Sequence, residues 1–190
     1  DLLNAISNAA KAAAEATAAA LDDAIQVGGR NLLKNSRLNY IPSSSSLGGE
    51  IVTDSLYGEV LHTNVMYTYG AELVSTEPFV ADEELTFSFF AKSLNGTTLA
   101  FQFHDGATVV HPSVFIGTSW GLYKVTAKTV KSASKGVRFY IYTSSDEYWI
   151  KAIKVEKGNK ATDWTPAPED VQAEIDAASD AVNALDTFVN

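Results

Sequence analysis

The 190-residue chain carries 23 acidic residues against 14 basic ones, a formal charge of −9, which disfavours nucleic acid or an anionic lipid surface as a partner. It has no cysteine, which excludes a disulfide framework and a thiolate metal site. No apolar run approaches the length of about 20 residues that a membrane helix needs, and no basic-then-apolar leader opens the chain. Beginning at Asp1, with Met66 its only methionine, the sequence reads as a segment cut from a longer polypeptide.

Residues 1–28 are rich in alanine, the best intrinsic helix former, and lack proline and aromatic residues. Leu2, Ile6, Ala9, Ala13, Ala16 and Ala20 recur at spacings of 4, 3, 4, 3 and 4, a heptad seam that predicts a coiled-coil connector. The seam drifts at Asp23, and Gly28-Gly29 ends the helix.

Residues 29–166 predict short antiparallel strands. Leu85–Lys92, Leu99–His104 and Val137–Tyr142 alternate apolar with polar residues, and the runs opening at Trp120 and Trp149 look similar. Asn95-Gly96, Asp105-Gly106, Lys135-Gly136 and Ser144-Ser145-Asp146 supply turns between them. Many short strands with no helix pattern among them predict a mainly β, antiparallel sandwich.

Residues 167–190 predict a second heptad helix. Pro166 and Pro168 stop the sandwich, and Glu169 and Asp170 complement the helix dipole. Val171, Ile175, Ala178, Val182, Leu185 and Val189 repeat the spacings 4, 3, 4, 3 and 4. So narrow a stripe favours identical neighbours over its own domain, although packing of both helices on the sandwich is the alternative.

Alternation also assigns faces. Leu85, Phe87, Phe89 and Ala91, then Leu99, Phe101 and Phe103, then Val137, Phe139 and Ile141 point to the core. The opposite face offers Phe90, Lys92, Gln102, His104, Arg138, Tyr140 and Tyr142. Rings beside amide, imidazole and guanidinium groups suit a sugar, whose C–H face stacks on aromatics while its hydroxyls need planar polar partners. Cross-strand packing of Tyr140 and Tyr142 on a half-exposed sheet accounts for the same pattern, and a single bulge would exchange the faces.

Catalytic and metal signatures are missing. His62, His104 and His111 lie far apart without ligand spacing, so no metal or cofactor is expected. The acids of the middle segment sit in polar, turn-like stretches such as Asp82-Glu83-Glu84, not in the apolar settings that tune a glycosidase pair. Neither a Gly-x-Ser-x-Gly elbow nor a phosphate loop is present. A binding module is expected, not an enzyme.

Two strings go beyond periodicity: Gly29-Arg30-Asn31-Leu32-Leu33-Lys34-Asn35-Ser36, and the closing run from Ile153 through Gly158-Asn159-Lys160-Ala161-Thr162-Asp163-Trp164 to Asp170. Together they resemble the carbohydrate-binding-like jelly-roll domains of tail and baseplate proteins from phages of Gram-positive bacteria. The resemblance implies a jelly roll flanked by coiled-coil helices in a homotrimer. It also implies a virion setting, other tail or baseplate proteins as neighbours, and a host polysaccharide or teichoic-acid-type glycan as ligand. Related modules often hold a calcium ion between an acid near the first strand and an Asp in the last. Here Asn31 and Asn35 occupy the opening and Lys151 stands at about the second place, so no calcium is expected. Trp164 is read as structural, folding back over the end of the core. A tail-fibre spacer without a ligand of its own is the alternative function.

Overall fold

The computed structural model describes residues 29–36, 38, 48–63, 71–143 and 146–189; the expected helix over 1–28 lies outside them. The described residues form two antiparallel sheets and one helix. The strands are β1 (Leu33–Lys34), β2 (Gly49–Asp54), β3 (Gly58–Thr63), β4 (Ala71–Ser75), β5 (Glu84–Ser93), β6 (Thr97–His104), β7 (Thr108–Val110), β8 (Ser113–Ile116), β9 (Gly121–Lys128), β10 (Arg138–Tyr142) and β11 (Tyr148–Lys157). One sheet runs β1-β4-β10-β6-β7, with β8 also on β6; the other runs β2-β3-β11-β5-β9.

The predicted core faces meet between the sheets. Phe87, Phe89 and Ala91 of β5 oppose Phe101 and Phe103 of β6 and Phe139 and Ile141 of β10, all buried. The rings interlock: Phe89 and Phe101 have centroids 4.6 Å apart, Phe103 and Phe139 4.9 Å, and Phe79 and Phe103 4.7 Å. Such aromatic pairs add to the burial of their own area. Tyr148 of β11 is fully buried, and its hydroxyl donates to the Ile141 carbonyl at 3.2 Å, joining one sheet to the other. Burial pushes this phenol far above its ordinary range.

The last strand departs from simple alternation. Its pairing with β5 shifts between Lys151 and Lys154, and Ala152 takes the left-handed conformation at φ 52°. This bulge exchanges parity, so Tyr148 and Ile150 before it and Ile153 and Val155 after it all face the core. Trp149, Lys151, Lys154 and Glu156 consequently share the outer side.

The two sequence strings dock on each other here. The Leu32 amide donates to the Val155 carbonyl at 2.7 Å, continuing β11 where the bulge leaves it. The buried Asn31 amide spends all four of its hydrogen-bonding positions. It donates to the Ile153 and Thr165 carbonyls and accepts from the Leu33 and Val155 amides. Gly158, at φ 99°, turns the chain back over the outer face. There Lys154 and Glu156 are sealed from solvent, and both grip Thr162. Trp164 folds back as expected, but onto this outer side rather than the end of the core. Its indole donates to the Ile153 carbonyl at 3.0 Å.

Helix α1 (Pro168–Val189) follows, with Pro168 at its first position. Glu169 and Asp170 lie in its first turn, as expected for acids at the positive end of the helix dipole. The Asp170 carboxylate also accepts from the Asn35 and Ser36 amides at 2.7 and 3.1 Å, and Arg30 pairs with Glu169. The first turn is thereby fastened to the opening string. Val171 and Ile175 of the heptad stripe stay 37% and 53% exposed.

Candidate functional site

The structure divides the seven expected site residues between two faces. Phe90 and Lys92 lie on β5, in the five-stranded sheet. Gln102 and His104 lie on β6, and Arg138, Tyr140 and Tyr142 on β10, in the other sheet. Both groups point outward, but on opposite sides of the sandwich. The single face expected from alternation is therefore two. The physical reason is that alternation reports the side of a strand and carries nothing about which sheet the strand joins.

On the six-stranded sheet, Arg138 stands opposite His104 and Tyr140 opposite Gln102. Gln102 donates to Thr108 at 2.9 Å, and the Tyr142 hydroxyl meets the His111 ring, which also stacks beside it.

The five-stranded sheet carries the denser arrangement. Glu50 of β2 stands opposite His62 of β3, His62 opposite Trp149 of β11, and Trp149 opposite Lys92 of β5. Trp120, just before β9, continues this row across the sheet. The His62 and Trp149 rings stack at 4.7 Å, 13° from parallel. The Lys92 ammonium lies 5.0 Å from the centre of Trp149 and 5.1 Å from that of Trp120. Both imidazole nitrogens of His62 face carboxylates, Glu50 at 3.2 Å and Glu147 at 3.3 Å.

A second tier sits beside that row. Phe90 stacks on Trp120 at 5.4 Å and meets Tyr57 edge-on at 4.9 Å, while Tyr57 and Trp120 are 5.0 Å apart. Tyr57 belongs to the β2–β3 turn, which folds over the sheet because Asp54 anchors it. Asp54 accepts from the Leu56 and Tyr57 amides, from Lys92 Nζ and from Trp120 Nε1. The Leu56 amide above all, then Lys92, Trp120 and the Tyr57 amide, hold its carboxyl below its ordinary 3.8 against the opposing effect of burial. Lys151, opposite Phe90, donates to the Tyr57 carbonyl, and its ammonium lies 5.8 Å from the centre of the Tyr57 ring.

Tyr57, Phe90, Trp120 and Trp149 are each half-buried, although none belongs to the core. One strand rung further along, a groove of about 180 Å³ runs between Ser88, Leu122, Lys124 and Ala152 and the returning Trp164. The chemistry is that of a planar-polar and aromatic surface held in place by an ion pair. Among the described residues, no three His, Cys, Asp or Glu side chains converge as a metal site.

Sequence reading found Phe90 and Lys92 of this surface and missed Asp54, Tyr57, His62, Trp120 and Trp149. Trp120 and Trp149 each open a strand run, which was the available signal. Their common side was hidden by the bulge in β11 and by a strand order that places β11 between β3 and β5.

No protein-family model matches the chain, and no curated protein does. Solved structures with a similar course include three that can be compared directly. The CBM22-1 xylan-binding domain of Paenibacillus barcinonensis Xyn10C is 12% identical, covering 72% of this chain and 99% of that one, with a TM-score of 0.47. The CBM6cm-2 carbohydrate-binding module of Cellvibrio mixtus lichenase 5A, solved with cellotriose, is 17% identical over 72% of this chain and all of that one, 100%, with a TM-score of 0.42. The enzymatically active domain of bacteriophage CBA120 tailspike protein 4 is 15% identical over 67% of this chain and 21% of that one, with a TM-score of 0.40.

Proposed function

We propose that the chain is a non-catalytic carbohydrate-binding module, a jelly roll whose ligand surface is the outer face of the five-stranded sheet. One observation carries the reading. Four half-buried aromatic rings and the Asp54–Lys92 ion pair are assembled on a sheet face outside the core. Fold stability alone does not call for such a surface, whereas a sugar needs ring surface and fixed polar partners together. The acids on this face support binding over catalysis: Asp54 is tied to Lys92, and Glu50 and Glu147 to His62. Gln102, His104, Arg138, Tyr140 and Tyr142 form a second polar-aromatic patch on the far side of the sandwich.

In the setting that the opening and closing strings suggest, the module serves a phage tail or baseplate. It adsorbs to a host surface polysaccharide or teichoic-acid-type glycan as part of the virion, with other tail proteins as neighbours. A homotrimer joined through α1 as a coiled coil multiplies weak single-site binding. The test is a glycan array and a host cell-wall binding assay on the full chain. Binding that Trp120→Ala and Phe90→Ala each weaken at least about tenfold supports the reading. Failure of an oligomeric sample to bind any wall material refutes it.

A spacer without a ligand is favoured by one feature, the exposed Val171 and Ile175 on a helix whose first turn is hydrogen-bonded to the sandwich. Trimers that bind no glycan would select it.

A further inference from the structure

The charge around Phe90 and Tyr57 runs against that of the molecule. The chain is formally −9, yet two ammonium groups and one carboxylate meet at this spot. Lys92 faces Trp149, and Lys151 lies two residues further along the same strand, on the same outer side. The two are diagonal cross-strand neighbours, whose side chains start about 7–8 Å apart. Asp54 is shared among four donors and pairs with Lys92 alone of the two lysines. Among the described residues, Lys151 has no carboxylate within ion-pair distance. Its one hydrogen bond there goes to the Tyr57 carbonyl. Glu50 and Glu147 lie against the two ring nitrogens of His62, across Trp149 from Lys92. An ammonium has three donors, so each of these lysines keeps two N–H groups beyond its protein partner. A neutral polyol can use such donors. Two ammonium groups that meet one carboxylate, however, leave Lys151 as a cation with donors suited to an anionic group.

We infer that the saccharide taken by this face carries an anionic group, a carboxylate or a phosphate, received by Lys151 and Lys92 beside Tyr57 and Phe90. This rests on the reading of that face as the glycan surface. Lys151 is the specificity-determining residue, because Lys92 is already half-neutralised by Asp54. Its ammonium lies 5.8 Å from the centre of the Tyr57 ring, so a sugar bound beside that ring brings its substituent within reach.

The experiment measures binding of the full chain to three probes by calorimetry and by indole NMR shifts. The probes are neutral cello- and xylo-oligosaccharides, oligogalacturonate of matched length, and poly(glycerol phosphate). At least one anionic probe is expected to bind about tenfold or more tightly than the neutral ones, the worth of a charge-assisted hydrogen bond. Lys151→Met should erase that preference, leave weak neutral binding in place and be rescued by Lys151→Arg. Preference for galacturonate or for the glycerol phosphate polymer assigns the anion as carboxylate or phosphate. Equal or tighter binding of the neutral sugars, or an unchanged preference in Lys151→Met, overturns the inference and leaves the glycan surface standing. Binding of none of the three probes also overturns the inference, while the glycan surface itself stands or falls with the cell-wall assay.

Discussion

Replacing Lys154 with Met exposes the role of the closing string. Lys154 and Glu156 are 1% and 0% exposed, and the ammonium lies 3.5 Å from the carboxylate. Lys154 also donates to Thr162 Oγ1 at 2.6 Å and to the Asp163 carbonyl at 2.8 Å. Glu156 accepts the Thr162 amide and hydroxyl, both at 2.7 Å. Methionine matches the lysine stem in volume but leaves Glu156 as a buried charge facing Thr162 alone. Breaking such a pair from one side costs about 3–5 kcal/mol, against a total folding stability of about 5–15 kcal/mol. For a domain of this size, that lowers the melting temperature by roughly 10 °C. The double variant Lys154→Met/Glu156→Leu removes both charges. It should recover much of the loss, leaving mainly the Thr162 amide without an acceptor, about 1–3 kcal/mol. Urea titration followed by tryptophan fluorescence reads both values, since Trp164 sits in the loop that the pair secures. A single-variant loss below about 1 kcal/mol, or a double variant as unstable as the sum of its parts, would refute the buried pair as the staple of this loop.

Tyr148→Phe deletes the hydrogen bond that joins the two sheets while keeping the ring, and should cost about 1 kcal/mol in chemical denaturation with an unchanged m-value. Asn31→Asp turns two donated hydrogen bonds into a carboxylate facing the Ile153 and Thr165 carbonyls. It should cost about 3 kcal/mol, whereas a neutral outcome in thermal melts would discount the docking of the two strings. Asp54 has a lowered carboxyl pKa, so its stabilising contribution is complete above its ordinary value of 3.8 and fades as pH falls through the lower folded value. Indole NMR of Trp120 should accordingly stay constant from neutral pH down to about 4 and shift only below it, and Asp54→Asn should show the low-pH spectrum at neutrality.

The residues by themselves determined more of the interior than of the surface. Leu85, Phe87, Phe89, Phe101, Phe103, Phe139 and Ile141 declare a half-buried strand through period-2 alternation, because a pleated strand has only two sides and water selects one. The heptad beginning at Val171 likewise declares a helix, and Pro168 its start. The pairing of the two strings was legible as a pattern. The Asn31 hydrogen bonds and the buried Lys154–Glu156 pair supply its cause.

The site was less legible, for two reasons that lie outside any one strand. Phe90 and Gln102 have the same outward parity, but β5 and β6 enter different sheets, and that assignment follows from which strands pair across the whole chain. Trp149 and Lys151 stand beside Lys92 and Phe90 only because β11 inserts between β3 and β5 and its bulge at Ala152 comes after them. Long-range pairing and one left-handed residue, neither encoded in local periodicity, therefore decide where the aromatic surface lies.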